Sequence, residues 1–405
     1  MGQGARVGHV TGAASSSPLP SRLLPYGRQS IGEDDIAAVV EVLRSDWLTC
    51  GPAVERFELE LARACGAAQA VAVSNGTAAL HLAMRAAGVG PGDRVLTCSN
   101  TFLASANAAE YVGATADFAD MDPVSRCLSL ETLKAAWKPD VKAVVAVDYA
   151  GTPCVSKEMA DFIHGRGAIV VEDACHAIGS RRNGFSVGGL PWVDMTTFSF
   201  HPVKTLTTGE GGAILTQKAE WADSCRLNRS HGMRRLPADG RPYTMETPGY
   251  NYRLTDIQCA LGVAQLRKLD AFVQRRRAIV ETYNRAFAPL AHVKIPQTPS
   301  GAAVAWHLYA VQIDFPALKT TRAAVVEALK AGGVGTQIHY YPVHLQPYYA
   351  NRYGYAPGKC PAAERWYEQT LSLPLFPSMT DGDVQKVVDV FMAVVGRARS
   401  AKIFL

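Results

Sequence analysis

No stretch of this 405-residue chain approaches the roughly 18 consecutive apolar residues that a membrane-spanning helix requires. Charge is sparse as well. Only 19% of the residues are charged, and the net +5 is spread along the chain rather than gathered in a basic block. That distribution argues against a nucleic-acid partner and leaves local arginines to meet a phosphorylated small molecule. The nine cysteines form no C-x-x-C pair and are odd in number, which predicts reduced, mostly buried thiols and a cytoplasmic location. The ten histidines show no metal-ligand spacing beyond the loose pair His339 and His344, so no metal is expected. Residues 1–24 are rich in Gly, Ala, Ser and Pro, lack an apolar core of signal-peptide length, and carry Arg6 where a myristoylation motif wants Ser or Thr. They read as a disordered tail. No internal repeat of fixed period is present.

What the chain does have is apolar material for a large core, 48% of its residues, and length enough for two domains. The expected division is a larger domain over 25–270 and a smaller α/β unit over 271–405. From Glu33, the residues Ile36, Val39, Val40 and Leu43 recur at helical spacing, and Glu33, Asp34 and Asp35 occupy the first turn, where the helix dipole favours acids. Short apolar segments at 70–73, 94–97, 141–147, 168–172, 196–200 and 212–216 read as buried strands, and 78–87 as a helix. This alternation predicts an α/β fold with a mainly parallel sheet covered by helices on both faces. The capping-box sequence Thr255-Asp256-Ile257-Gln258 opens a helix predicted to run past Leu269 into Arg275, Arg276 and Arg277 and to bridge the domains. A strand at 306–313, a helix at 321–330 and a closing helix at 381–397 complete the smaller unit.

One stretch is singular. It places Lys204 between the apolar segment that ends near Phe200 and the turn Gly209-Glu210-Gly211-Gly212. Burial lowers a lysine's pKa and frees its amine to attack an aldehyde, which is how a Schiff-base lysine is made; the plainer alternative is a strand-end lysine that snorkels to solvent. Other strand ends add partners. Ser74-Asn75-Gly76-Thr77 turns a strand into a helix, so free amides and the helix dipole converge where a phosphate can sit. Asp173 stands at the carboxyl end of a probable parallel strand, the edge where open α/β sheets bind ligands. There it can hold a proton on the ring nitrogen of pyridoxal phosphate and make the ring an electron sink, or it can cap a helix. Phe102, after another strand end, can lie flat on such a ring or fill the core. The joint order of phosphate loop, aromatic, acid and lysine is more specific than any one of them.

With these segments, and with Gly51-Pro52 and Gly249-Tyr250-Asn251-Tyr252-Arg253, the chain resembles the DegT/DnrJ/EryC1/StrS family of sugar aminotransferases from about Tyr26 onward. The resemblance implies the aspartate-aminotransferase fold, that is, pyridoxal-phosphate fold type I, with residues 25–270 as the cofactor-binding domain. It implies that Lys204 forms the internal aldimine, Asp173 pairs with the pyridine nitrogen, and His176 contacts the phenolic oxygen, where many members have Gln. Phe102 then stacks on the ring, and Gly76, Thr77 and Ser199 hold the phosphate. Asn251, and Arg253 beside it, reach the neighbouring subunit's site in a homodimer.

The segments at 28–36, 45–52 and 339–349 look most like the branch that aminates C4 of UDP-4-keto-6-deoxy-N-acetylhexosamines with glutamate as donor, as in pseudaminic acid biosynthesis. Such a substrate needs cations and donors at the mouth of the site, and His231, Arg234, Arg235 and His344 are the candidates. Cys50 departs from the polar amide common there. Open alternatives are a C3- or C4-aminotransferase on a dTDP-linked keto-deoxysugar and a non-catalytic regulatory protein that retains the cofactor. A sugar dehydratase of the same family has His in place of the lysine, and a desulfurase-like enzyme has only Cys360 to offer.

Overall fold

The computed structural model describes residues 23–234 and 242–396. Among them, the main sheet contains β1 (Gln69–Val73), β2 (Arg94–Cys98), β3 (Thr115–Ala119), β4 (Val141–Val147) and β5 (Ile169–Asp173). The two-residue strands β6 (Arg181–Arg182) and β7 (Phe185–Ser186) form a hairpin, after which β8 (Met195–Ser199) and β9 (Gly212–Thr216) return to the main sheet. The seven strands lie in the order β1-β9-β8-β5-β4-β2-β3. Strands β8, β5, β4, β2 and β3 pair in parallel, and β9 alone runs against its neighbours β8 and β1. Near-continuous burial along β4 (VKAVVAV) and β9 (GAILT) is what a sheet covered on both faces requires.

The helices α1 (Glu33–Leu43), α2 (Pro52–Cys65), α3 (Gly76–Ala86), α4 (Leu103–Tyr111), α5 (Leu130–Ala136), α6 (Lys157–His164) and α7 (Ala219–Arg229) accompany these strands. The pair β10 (Met233–Arg234) and β11 (Thr244–Met245) follows. The single long helix expected from Thr255 is two helices, α8 (Asp256–Leu266) and α9 (Leu269–Phe287). The break at Arg267 and Lys268 has a visible cause. Lys268 turns its Nζ to Asp34 and Asp35, at 2.7 and 2.6 Å, while the Gln265 amide donates to Asp35 and to the Ser30 carbonyl. These contacts fasten α1 to the junction.

Beyond α9, strands β12 (Val293–Lys294), β14 (Tyr309–Ile313) and β15 (Thr370–Leu373) make a small antiparallel sheet, while β13 (Ala302–Ala303) joins the β6–β7 hairpin. Helices α10 (Arg322–Ala331), α11 (Pro347–Tyr353), α12 (Pro361–Gln369) and α13 (Asp381–Val395) complete the described residues. A second core gathers Ile279, Tyr283 and Phe287 of α9 with Val311, Leu371 and Phe391. Leu24, at the start of the described residues, belongs to this core and pairs with Val334. Conversely, Val343, Tyr349 and Trp366 pack on the core of the main sheet. The smaller unit therefore clasps the larger one from both chain ends. No helix among the described residues is long and apolar enough to cross a membrane.

Candidate active site

The carboxyl ends of β5 and β8 and the start of α3 open on one cavity of about 1010 Å³. Gly76 and Thr77, expected in the turn before the helix, are its first two residues. Asn75 caps it, its Oδ1 accepting from the Ala78 amide at 2.8 Å and its carbonyl from the Ala79 amide at 3.1 Å. The amides of Gly76 and Thr77 meet no acceptor among the described residues, which is the condition for an anion site at a helix start. A side chain cannot replace Gly76 without movement, because its Cβ would lie 2.9 Å from Ser199 Cβ and 3.2 Å from Cys175 Sγ. Gly212 is equally confined, since its Cβ would fall 2.4 Å from the Asn75 carbonyl carbon and oxygen. The returning strand β9 thus braces the start of α3 from behind.

Asp173 ends β5, nearly buried. Its Oδ2 accepts from Ser105 Oγ at 2.6 Å and its Oδ1 from the Cys175 amide at 3.2 Å. Because Ser105 spends its proton on the carboxylate, the 2.7 Å contact between Thr101 Oγ1 and Ser105 Oγ runs from Thr101 to Ser105. Sequence reading missed these two hydroxyls, because Thr101 lies before the N-cap of α4 and Ser105 inside its first turn, and only the fold brings both to Asp173.

Lys204 sits in the reversal between β8 and β9, its backbone amide donating to the His201 carbonyl at 2.9 Å. Its Nζ makes no hydrogen bond or ion pair among the described residues and faces the cavity. Burial lowers this amine below the ordinary lysine range, an effect that the Cys175 thiol and Asp173 only partly oppose. Phe102 is the N-cap residue of α4 and lines the same cavity with its ring 58% exposed, so it is a free face rather than core filling.

His176 also lines the cavity, but both of its ring nitrogens are engaged within the chain. Nδ1 accepts from the Ala150 amide at 3.3 Å, and Nε2 lies 3.3 Å from the Tyr340 hydroxyl. Burial first, then Lys204 and His339, holds its pKa well below the usual imidazole range. His307, whose ring centroid is 4.3 Å from that of His176, is held neutral mainly by burial, and its Nδ1 has no hydrogen-bond partner among the described residues. His339 bonds Ser372 Oγ through Nδ1 at 2.8 Å, and its pKa is pushed down to about 3 by burial, with Lys204 adding to the effect.

The expected substrate cations are placed less centrally. His344 is a correction: it is fully buried, with Nδ1 2.6 Å from Ser99 Oγ and Nε2 3.0 Å from Glu364, and it does not line the cavity. Apolar packing around its neighbour Val343 draws it into the core instead. Arg234 lies on β10, exposed and paired with Glu246 at 2.7 Å. His231 is exposed at a positive φ of 62°. Arg253 is half-buried, and Asn251 is exposed, bridged to Ser230 while its neighbours Tyr250 and Tyr252 line the cavity. Arg235 lies outside the described residues.

A buried acid, a free low-pKa lysine, an open aromatic face and a helix start with unspent amides define a pyridoxal-phosphate enzyme of fold type I. The chain belongs to the DegT/DnrJ/EryC1/StrS aminotransferase family, whose model matches residues 29–392. It is a sugar aminotransferase, and its cofactor is pyridoxal 5'-phosphate. It is 40% identical over 382 residues to the spore coat polysaccharide biosynthesis protein SpsC of Bacillus subtilis, covering 93% of this chain and 98% of that one. The Helicobacter pylori aminotransferase PseC, involved in the biosynthesis of pseudaminic acid, superposes with a TM-score of 0.86 at 28% identity, over 93% of this chain and 100% of that one. Spr1654 of Streptococcus pneumoniae, solved with pyridoxal phosphate, gives a TM-score of 0.85 at 27% identity, over 92% and 99% of the two chains.

Proposed function

We propose that the protein moves the amino group of glutamate to C4 of a UDP-linked 4-keto-6-deoxy-N-acetylhexosamine, acting in the cytoplasm as a homodimer. The reading is carried by the Lys204 amine, which is free of hydrogen bonds in a cavity that also presents the Ser105-held Asp173 carboxylate. The fold-level likeness to PseC supports the sugar class. Bound pyridoxal phosphate supplies an aldehyde that exchanges amines and a ring that takes up an electron pair. Lys204 would hold the cofactor aldehyde covalently, and its free amine would serve as the base that moves a proton at the reacting carbon. Asp173 keeps the ring nitrogen protonated, with Ser105 and Thr101 fixing its orientation. Gly76, Thr77 and Ser199 hold the phosphate, and Phe102 covers the ring.

Asn251 serves the partner's site, with Arg253 beside it. The alternation in which Tyr250 and Tyr252 face their own cavity while Asn251 turns outward favours that role. Arg234 and His231, exposed and outside the cavity lining, are the cations assigned to the nucleotide diphosphate. Residues 25–270 act as the cofactor-binding domain and 271–405 as the smaller domain that closes over it.

The test is a spectral one. With pyridoxal phosphate bound, the visible band should bleach on adding glutamate and return with a UDP-linked 4-keto sugar. Recovery only with dTDP-linked 3-keto or 4-keto deoxysugars replaces this substrate by the alternative one, and no bleaching by any amino donor leaves a binding role.

A further inference from the structure

The hydrogen bonds around His176 have a fixed direction. The Ala150 amide can only donate, so the His176 Nδ1 it meets at 3.3 Å must be the acceptor. A charged imidazole would put a second proton at that contact, and burial already disfavours the charge. The neutral ring therefore carries its proton on Nε2 and donates it to the Tyr340 oxygen at 3.3 Å. The Tyr340 proton must then point elsewhere. Among the described residues His176 is the hydroxyl's one hydrogen-bond partner, and the ring is half-buried in the cavity wall.

Tyr340 also stays protonated. Burial raises its pKa well above the usual phenol range, Tyr149, Tyr26, Asp173 and Cys175 act in the same direction, and the His339 ring, held neutral by burial, packs edge-on against it at 4.8 Å. Its ring centroid lies 6.3 Å from that of Phe102, the proposed stacking face, and it shares the cavity wall with Asp173. A neutral hydroxyl whose lone pair is already occupied is a donor looking for an anionic or carbonyl oxygen.

We propose that Tyr340 donates a hydrogen bond to the phenolic oxygen of bound pyridoxal phosphate, with its proton aimed there by the Ala150 amide acting through His176. This rests on the aminotransferase reading above and revises the contact that the family resemblance implies for His176. His176 becomes a positioning residue, and the donor is supplied by the smaller domain. Tyr340 gives up no proton in this role, so no step needs a proton source behind it.

The experiment is a pH titration of the visible absorption of the full chain loaded with pyridoxal phosphate. A donor on the phenolic oxygen stabilises its anion and lowers the proton affinity of the neighbouring Schiff-base nitrogen. Tyr340→Phe, which keeps the ring contacts, should raise the titration midpoint by about one unit or more, a charge-assisted hydrogen bond being worth that much. His176→Gln keeps one acceptor and one donor and should leave the midpoint close to wild type, while His176→Leu should raise it by less than Tyr340→Phe does. An unmoved midpoint in Tyr340→Phe overturns the proposal, and so does a larger shift in His176→Leu, which would make His176 the donor. If the wild-type protein shows no visible band that Lys204→Ala loses, it is the aminotransferase reading that fails instead.

Discussion

The inner end of the cavity and the exposed surface outside it are built by different means. At the inner end every group is fixed by backbone: Gly76 and Thr77 by a helix start, Asp173 and Ser199 by strand ends, and Lys204 by a reversal whose closing glycine abuts Asn75. Outside the cavity lining, His231 lies in an exposed turn and Arg234 on the two-residue β10, where it is already satisfied by Glu246. The difference teaches where chemistry and selectivity reside. A reaction shared by a family needs positions that the sheet itself dictates, whereas a substrate that varies needs side chains that can be exchanged without disturbing the fold.

The comparison breaks hardest at the lysine. Lys204→Ala should lower turnover by roughly 10⁴-fold or more, since it removes both the anchor and the proton carrier, and should abolish the visible band while leaving the Tm nearly unchanged. Measurable transamination by this variant would sink the assignment. One layer further out, Ser105→Ala leaves the Asp173 carboxylate without its shortest bond. A loss of about tenfold in kcat is expected, with KM for glutamate little altered, as measured by single-turnover bleaching.

A third test asks whether the buried histidines are held neutral, as the inner end requires. The folded-state pKa of His339, about 3, lies below the usual imidazole value, so on acidification through about 6.5 the unfolded chain takes up a proton that the native one refuses. Stability is therefore complete above that pH and falls below it, by about 1.4 kcal/mol per pH unit for this one group. Melting curves between pH 7 and 5 should show the decline, and His339→Gln should lessen it by this one group's share, the part due to His176 and His307 remaining. The smallest effect belongs to the exposed surface. Arg234→Gln should raise KM for the nucleotide sugar by no more than about threefold, with kcat and Tm unchanged, because an exposed pair contributes little. A larger effect, or one on kcat, would mean that selectivity reaches deeper than that surface.

The inner end was also the part that could be read from the chain. Buried parallel strands leave continuous apolar runs, and their ends are marked by small or polar residues, so β1, β2, β4, β5, β8 and β9 and the groups beyond them stood out together. The break between α8 and α9 did not, because it depends on Lys268 reaching acids more than 200 positions earlier in the chain. His344 misled for a related reason. A histidine near a Tyr- and Pro-rich loop looks like a ligand until Ser99 and Glu364 are seen to claim both nitrogens. Tyr340 carried no signal of its own, since the direction of its proton follows from a backbone amide at Ala150.

The reversal of β9 within an otherwise parallel sheet has a consequence for how such a chain can diversify. The segment between Ser199 and Gly212 must leave one strand and return on the adjacent one with both ends in register, Ser199 opposite Gly212, while Gly212 touches Asn75. An insertion or deletion there shifts Lys204 and the start of α3 at once. Its length is accordingly the least negotiable number in the molecule, and new substrates must be sought by changing loops that close on nothing.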